Sequence, residues 1–253
     1  MVVKDDTVTL YWSPLIKGTR NIFDLSDDLS ELKYFEPIPV NRTLDVKKFL
    51  GPSASVCPAM TDEMIRTFAI KAPIDFYCSY DYENDSATFK YDYGDEFNKA
   101  YGGPPNAEAI HQLRYPAYLF FSEEPGLTIT SLPAYYEENE FTKNCRVLSG
   151  SFDVSSWVRQ WNIAIKFFGD KTIDIKRGDV LIYYRVNTNK KIKLVKFDSN
   201  NTETRAMMER CLSFKHYKAK WFVPHKLAES YEAFTRHKLK SKMMKIIKDN
   251  LYE

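Results

Sequence analysis

A long succession of short strand-like segments limits what this chain can fold into more than any other feature of its sequence. In one of them, Trp161 and Ile163 fall on one face of an extended strand and Asn162 falls on the other. The segments predicted as strands are residues 7–12, 64–70, 74–80, 88–93, 117–121, 127–132, 145–154, 161–168, 172–175, 180–186 and 191–197. Short strands at this spacing, without helices between them, are typical of an antiparallel sandwich or barrel.

The spacing of hydrophobic residues changes from a strand-like to a helical pattern after about residue 198. Residues 202–214 predict a short helix with Thr202 as its N-cap, and apolar residues then recur at helical spacing to about residue 252. We therefore predict a mainly β protein. It is an antiparallel β-sandwich of jelly-roll type over residues 1–198, with a C-terminal α-helical extension over residues 199–253 that packs on it.

Composition excludes several classes of protein. Of the 253 residues, 44% are hydrophobic and 28% are charged, as in ordinary globular proteins. No segment reaches the roughly 18–20 consecutive apolar residues that a bilayer span requires, so we expect no membrane association. The first residues are charged rather than apolar, so we expect no signal peptide. The 4 cysteines form no CxxC pair and predict free, mostly buried thiols in a reducing cytosol.

The sequence contains no recognisable motif for catalysis or metal binding. Jelly-roll oxygenases use H-x-D/E on a strand with a distant histidine, and none of the 4 histidines is followed two positions later by an acid. The sequence also lacks G-x-S-x-G, GxxxxGK[ST] and GxGxxG. Cys57 is interpreted as a buried thiol at the start of a strand, and His111 is the one histidine in a segment where a site could lie. We predict no catalytic, cofactor-binding or metal-binding residues.

The charge of the chain is strongly polarised. Residues 202–253 carry 12 Lys and Arg against 6 Asp and Glu, whereas residues 75–108 carry 8 acids against 2 lysines. Residues 94–116 contain the run Gly102-Gly103-Pro104-Pro105 and predict a long loop or insertion beside the acidic region. An acidic middle and a basic end attract each other or attract partners.

Tyrosines in the acidic region and lysines in the C-terminal helix form the predicted interaction surface. Tyrosine provides a large contact area at low entropic cost, and clustered lysines attract acidic partners. The predicted surface consists of Tyr80, Tyr82, Tyr91, Tyr93, Tyr101, Lys238, Lys242 and Lys245. Other interpretations remain open. The tyrosines are the polar face of an edge strand. The lysines are either a solvated helix face, or part of a helix that docks on the sheet of the same chain or on the acidic region 75–108 of a neighbouring subunit.

The order of several segments resembles a family of β-sandwich proteins from bacteria and their phages. The resembling pieces are Cys57-Pro58, TFAIKAPIDF (67–76), YPAYLFFSEEPGLTITSLP (115–133), VLSGSFDVSSWVRQWNIAIKF (147–167) and IDIKRGDVLIYYRV (173–186). The segment YWSP (11–14) is similar to proteins of large tailed phages. The resemblance implies a β-sandwich or jelly roll, and it supplies no catalytic residues.

We therefore expect a non-enzymatic phage structural or interaction protein without a cofactor. Its expected partner is a protein, either a second copy or another virion or host protein, and its expected location is the cytoplasm of a bacterial host or the virion. One alternative is a jelly-roll, metal-dependent, oxygenase-like enzyme with a non-standard site. A second alternative is a nucleic-acid binder that acts through the basic C-terminal helix.

Overall fold

The computed structural model describes residues 6–15, 35–43, 51, 56–81, 83–84, 86–92, 111–156, 158, 160–169, 172–219, 234 and 238–252. The strands in this part of the chain are β1 (Thr7–Pro14), β2 (Ile38–Pro39), β3 (Thr67–Lys71), β4 (Phe76–Asp81), β5 (Ser86–Tyr91), β6 (His111–Phe121), β7 (Thr128–Pro133), β8 (Cys145–Val147), β9 (Ser151–Asp153), β10 (Trp161–Phe167), β11 (Thr172–Ile175), β12 (Val180–Val186) and β13 (Lys191–Lys196). The helices are α1 (Val40–Thr43), α2 (Pro58–Arg66), α3 (Glu140–Asn144), α4 (Thr202–Ala219) and α5 (Leu239–Asp249).

The described strands form three sheets. Sheet A has the order β13-β1-β6-β10-β8, sheet B has the order β2-β3-β12-β7-β9, and sheet C has the order β11-β4-β5. The pairings between described strands are antiparallel except that of β1 with β13, which run parallel from Thr7 beside Lys191 to Trp12 beside Lys196. The prediction of a mainly β protein with antiparallel sheets and C-terminal helices is confirmed. The jelly-roll arrangement is not confirmed, because the strands form a third sheet and include a parallel pair.

Aromatic side chains fill the interior between sheets A and B. The Phe120 ring of β6 lies 4.9 Å from the Tyr184 ring of β12 and 5.5 Å from the Trp161 ring of β10. Tyr184 also stacks on Phe68 of β3 with a centroid distance of 5.4 Å. Offset and edge-to-face rings at these distances attract one another beyond the burial of their area. Aromatic residues make up 15% of the chain, and many of them therefore serve to pack the core.

Helices cover the outer faces of both large sheets. The outer face of sheet A, which includes Leu119 and Phe121, packs against buried residues of α4 and α5. The outer face of sheet B, which includes Tyr183, packs against Met64 of α2 and Val40 of α1. Strand β6 is therefore buried on both sides, which explains its uninterrupted apolar run over residues 115–121.

Two predicted boundaries in the first half of the chain are wrong. Residues 64–66 belong to helix α2 rather than to a strand, and Cys57 is a half-buried residue before that helix rather than a buried strand residue. Pro58 begins the helix, where its fixed φ angle and missing N–H are tolerated. Residues 111–116 lie in β6 and not in the loop predicted over residues 94–116. The remainder of that loop lies outside the described residues.

The C-terminal helices also differ in detail from the prediction. The side chain of Asn201, rather than that of Thr202, accepts a hydrogen bond from the Thr204 backbone N–H at 2.7 Å and so caps α4. Helix α5 begins at Leu239, because Lys238 has a left-handed backbone with φ of 53° and interrupts the helical run. Residues 224–233 and 235–237 of the predicted helix lie outside the described residues, as do residues 220–223 before it. No helix in the described part of the chain combines the length and the apolarity needed to cross a membrane.

Replacing either of two fully buried core tyrosines with phenylalanine is expected to change the free energy of unfolding, and the two changes have opposite signs. The Tyr118 hydroxyl donates to the Phe35 carbonyl oxygen at 3.1 Å, whereas the Tyr184 hydroxyl has no hydrogen-bond partner in the described part of the chain. Tyr184→Phe is expected to raise the free energy of unfolding by about 1 kcal/mol, because it removes a buried, unsatisfied hydroxyl. Tyr118→Phe is expected to lower it by a similar amount, because it leaves the Phe35 carbonyl without its donor. Urea unfolding measures both changes in free energy. A destabilised Tyr184→Phe together with a stabilised Tyr118→Phe would contradict these hydrogen-bond assignments.

Candidate functional site

The tyrosines of the predicted interaction surface differ in their exposure. Tyr91 is only 1% exposed, and its hydroxyl donates to the Tyr115 carbonyl oxygen at 3.2 Å. Tyr80 is half-buried, and its ring stacks on Phe167 at 5.1 Å. The prediction that Tyr91 contributes to an exposed contact surface is therefore wrong, because the alternation of β5 points this ring into the core. Tyr82, Tyr93 and Tyr101 lie outside the described residues.

The predicted lysines, in contrast, lie together on one exposed surface. Lys242 and Lys245 belong to α5, Lys238 directly precedes it, and all three side chains are exposed. The opposite side of α5 is buried against sheet A through Leu239, Met243, Met244 and Ile247. In the described part of the chain, none of the three ammonium groups has an ion-pair partner. We call Lys238, Lys242 and Lys245 the α5 lysine surface.

A groove of about 500 Å³ borders the α5 lysine surface. Its walls contain Lys240, Lys245 and Lys248 of α5 together with the carboxylates of Glu123 and Asp249. The Lys240 ammonium donates to the Glu123 carbonyl oxygen at 2.8 Å, and the Lys248 ammonium lies 3.6 Å from the Glu123 carboxylate. Glu123 therefore contacts Lys240 and Lys248, whereas the Lys245 side chain is exposed to solvent.

A second cluster of polar and aromatic residues follows β7 and was not found from the sequence. The Tyr135 ring lies 4.5 Å from Tyr136 and 5.3 Å from Tyr183 of β12, and the Tyr183 hydroxyl donates to the Glu137 carboxylate at 3.1 Å. Burial raises the pKa of Tyr135 to about 12. Burial also raises the pKa of Glu137, against the opposing hydrogen bond from Tyr183. Carboxyl groups with raised pKa values in clefts are typical of functional sites.

The sequence contains one local signal for this cluster. Tyr135 and Tyr136 are adjacent, and they follow Pro133 at the end of a strand, where two consecutive large aromatic residues break the in-and-out alternation. The contribution of Tyr183 could not be found in this way, because it reaches Glu137 only through the pairing of β12 with β7.

Three of the four cysteines and His111 are enclosed in the core, whereas Cys57 is half-buried. Cys78, Cys145 and Cys211 are buried free thiols. A hydrogen bond with Cys78 and burial raise the pKa of Cys145, and burial raises the pKa of Cys211 to about 11. Thiols with raised pKa values are poor nucleophiles. His111 is 3% exposed, and no group of three or more His, Cys, Asp or Glu within the described ranges is placed to hold a metal ion.

Comparison of the chain with family models, with curated proteins and with solved structures found no match. The resemblance to a β-sandwich family of bacteria and phages remains a prediction from the sequence.

Proposed function

We propose that this protein is a non-enzymatic structural or interaction protein that binds an acidic surface of a protein partner through the α5 lysine surface. The exposure of Lys238, Lys242 and Lys245, without carboxylate partners in the described residues, is the observation that carries the proposal. The resemblance to phage proteins favours a virion component or a host protein as the partner. Three exposed positive charges on one surface, none of them in an ion pair within the described residues, attract an acidic surface and accelerate its association.

The attachment of α5 to the sandwich suits it to this role. Its apolar face is buried, and its C-terminal end is tied to the end of β13, since the Asp198 N–H donates to the Asn250 carbonyl oxygen at 2.8 Å. Phe197 and Leu251 form a further β-bridge there. A helix held in this way presents its lysines in a fixed arrangement, so binding orders little additional backbone.

The charge pattern beside the lysines favours a protein over a nucleic acid. The groove adjoining them contains the Glu123 and Asp249 carboxylates, which would repel phosphates that follow the helix. Sequence-independent nucleic-acid binding relies on a continuous basic stripe that neutralises several phosphates. A mixed groove beside a basic row instead complements a protein surface that carries carboxylates and basic groups together.

Neutralising the α5 lysine surface is expected to weaken binding to an acidic polypeptide. Exposed ion pairs contribute about 0.2–1 kcal/mol each, so the triple variant Lys238→Gln, Lys242→Gln and Lys245→Gln should lose about tenfold in affinity for poly-L-glutamate at low salt. Fluorescence anisotropy with labelled poly-L-glutamate measures the change. A triple variant with the same charge change at three exposed lysines elsewhere, Lys143→Gln, Lys191→Gln and Lys193→Gln, provides the matched control.

Two results would contradict the proposal. An equal loss in both triple variants would show that net charge alone, and not the α5 lysine surface, attracts the polyanion. Tighter binding to a DNA duplex than to poly-L-glutamate of equal charge would favour a nucleic-acid binder instead.

A further inference from the structure

A cavity of about 200 Å³ opens beside Glu137, and it shares no lining residue with the groove of α5. Its floor is apolar and buried, and it is formed by residues from β8, α3, β12 and the segment after β7. These floor residues are Ala134, Phe141, Cys145, Val147 and Leu181. Its rim contains the half-buried Glu137 carboxyl and the ring of Tyr135, which is 48% exposed. The cavity thus combines a largely enclosed apolar lining with an acidic rim.

The Glu137 carboxyl is held in place but is not neutralised. One oxygen accepts the hydrogen bond from the Tyr183 hydroxyl at 3.1 Å, and the second has no hydrogen-bond partner in the described residues. Lys71 and Asp179 are the charged groups that act on Glu137, and they act in opposite directions. Desolvation dominates and raises the pKa of Glu137, because no neighbouring cation fully compensates its charge.

We propose that this cavity binds a small organic cation, namely a protonated amine that carries a short apolar group. The ammonium donates to the free oxygen of Glu137 beside the edge of the Tyr135 ring, and the apolar group contacts Cys145 and Val147, each of which is 5% exposed. A cation at this position supplies the counter-charge that the half-buried carboxylate lacks, and charge-assisted hydrogen bonds of this kind are stronger than neutral ones.

The size of the cavity limits the apolar group. A volume of about 200 Å³ equals that of roughly six or seven waters in the liquid, which is below the usual range for drug-sized ligands. A single ring or a short alkyl chain fits this space, whereas a peptide or an oligosaccharide does not. The ligand class is therefore small monoamines, and the site is separate from the α5 lysine surface.

The proposal is tested by comparing benzylamine with benzyl alcohol, which have the same number of non-hydrogen atoms but differ in charge. Each is titrated into the 253-residue chain at about pH 8, well above the pKa of an ordinary glutamate, and binding is followed by NMR chemical shifts. Benzylamine is expected to bind saturably and about tenfold or more tightly than benzyl alcohol, because a hydrogen bond to a charged group is worth more than a neutral one.

Two variants locate the site. Glu137→Gln keeps an acceptor for Tyr183 but removes the charge, and it is expected to lower benzylamine affinity about tenfold or more. Glu138→Gln, the same change at the adjacent exposed residue, is expected to leave the affinity within about twofold. The affinity of the wild-type protein should also fall as the pH is lowered through the pKa of Glu137, because protonation removes the charge that the amine binds.

Three outcomes would overturn the proposal. The first is no saturable binding of benzylamine, the second is equal affinity for the amine and the alcohol, and the third is unchanged affinity in Glu137→Gln. Should Glu137→Gln fail to fold, the amine-to-alcohol comparison and the pH profile of the wild-type protein still decide the question.

Discussion

Replacing Phe120 with alanine is expected to lower the free energy of unfolding by about 3–5 kcal/mol. Phe120 is 3% exposed and contacts Tyr118 and Trp161 of sheet A and Tyr184 of sheet B, so its ring joins the two layers. Removing the ring leaves a cavity among rigid aromatic neighbours that cannot close around it. Denaturant titration followed by circular dichroism measures the loss.

The matched control for this substitution is Phe168→Ala. Phe168 is 54% exposed, and its ring lies 5.0 Å from the Arg146 guanidinium, a contact worth about 0.5–1 kcal/mol at an exposed site. The control variant is therefore expected to lose about 1 kcal/mol or less. Equal losses at the two positions would refute the placement of Phe120 between the sheets.

Replacing Ile247 with alanine is expected to lower the free energy of unfolding by about 2–5 kcal/mol. Ile247 is fully buried and packs α5 against the outer face of sheet A, in the cluster that contains Phe121 and Phe197. Truncating it removes apolar contacts on the side of the helix opposite the α5 lysine surface. Thermal and denaturant unfolding both report this change.

The neighbouring residue provides the control for the Ile247 variant. Ile246 is only partly buried, so Ile246→Ala removes the same atoms from the same helix and is expected to cost about 1 kcal/mol. A larger loss at position 246 than at position 247 would show that α5 docks on sheet A through a different face.

The predicted interaction surface shows what a sequence can locate and where it fails. Lys242 and Lys245 are exposed because helical spacing places them away from the apolar residues that dock α5, and Lys238 is exposed just before the helix begins. Tyr91 is buried although it lies in an acidic, tyrosine-rich segment, because the alternation of β5 is a stronger local rule than composition. The cavity at Glu137 could not be predicted, since Leu181 and Val147 come from strands of two different sheets.

The sequence by itself determined the positions of most strands, the faces that most of them bury and the amphipathic C-terminal helix, but not all strand boundaries, since the strand predicted over residues 145–154 is divided into β8 and β9. These properties follow from short-range periodicity, which any local segment carries. Only the tertiary structure decided which strands pair, including the parallel contact of β1 with β13 and the separation of sheet C. It also brought the Tyr183 hydroxyl to Glu137, 46 residues away along the chain. Many pairings of similar strands satisfy the same local pattern, and only the packing of the whole core selects among them.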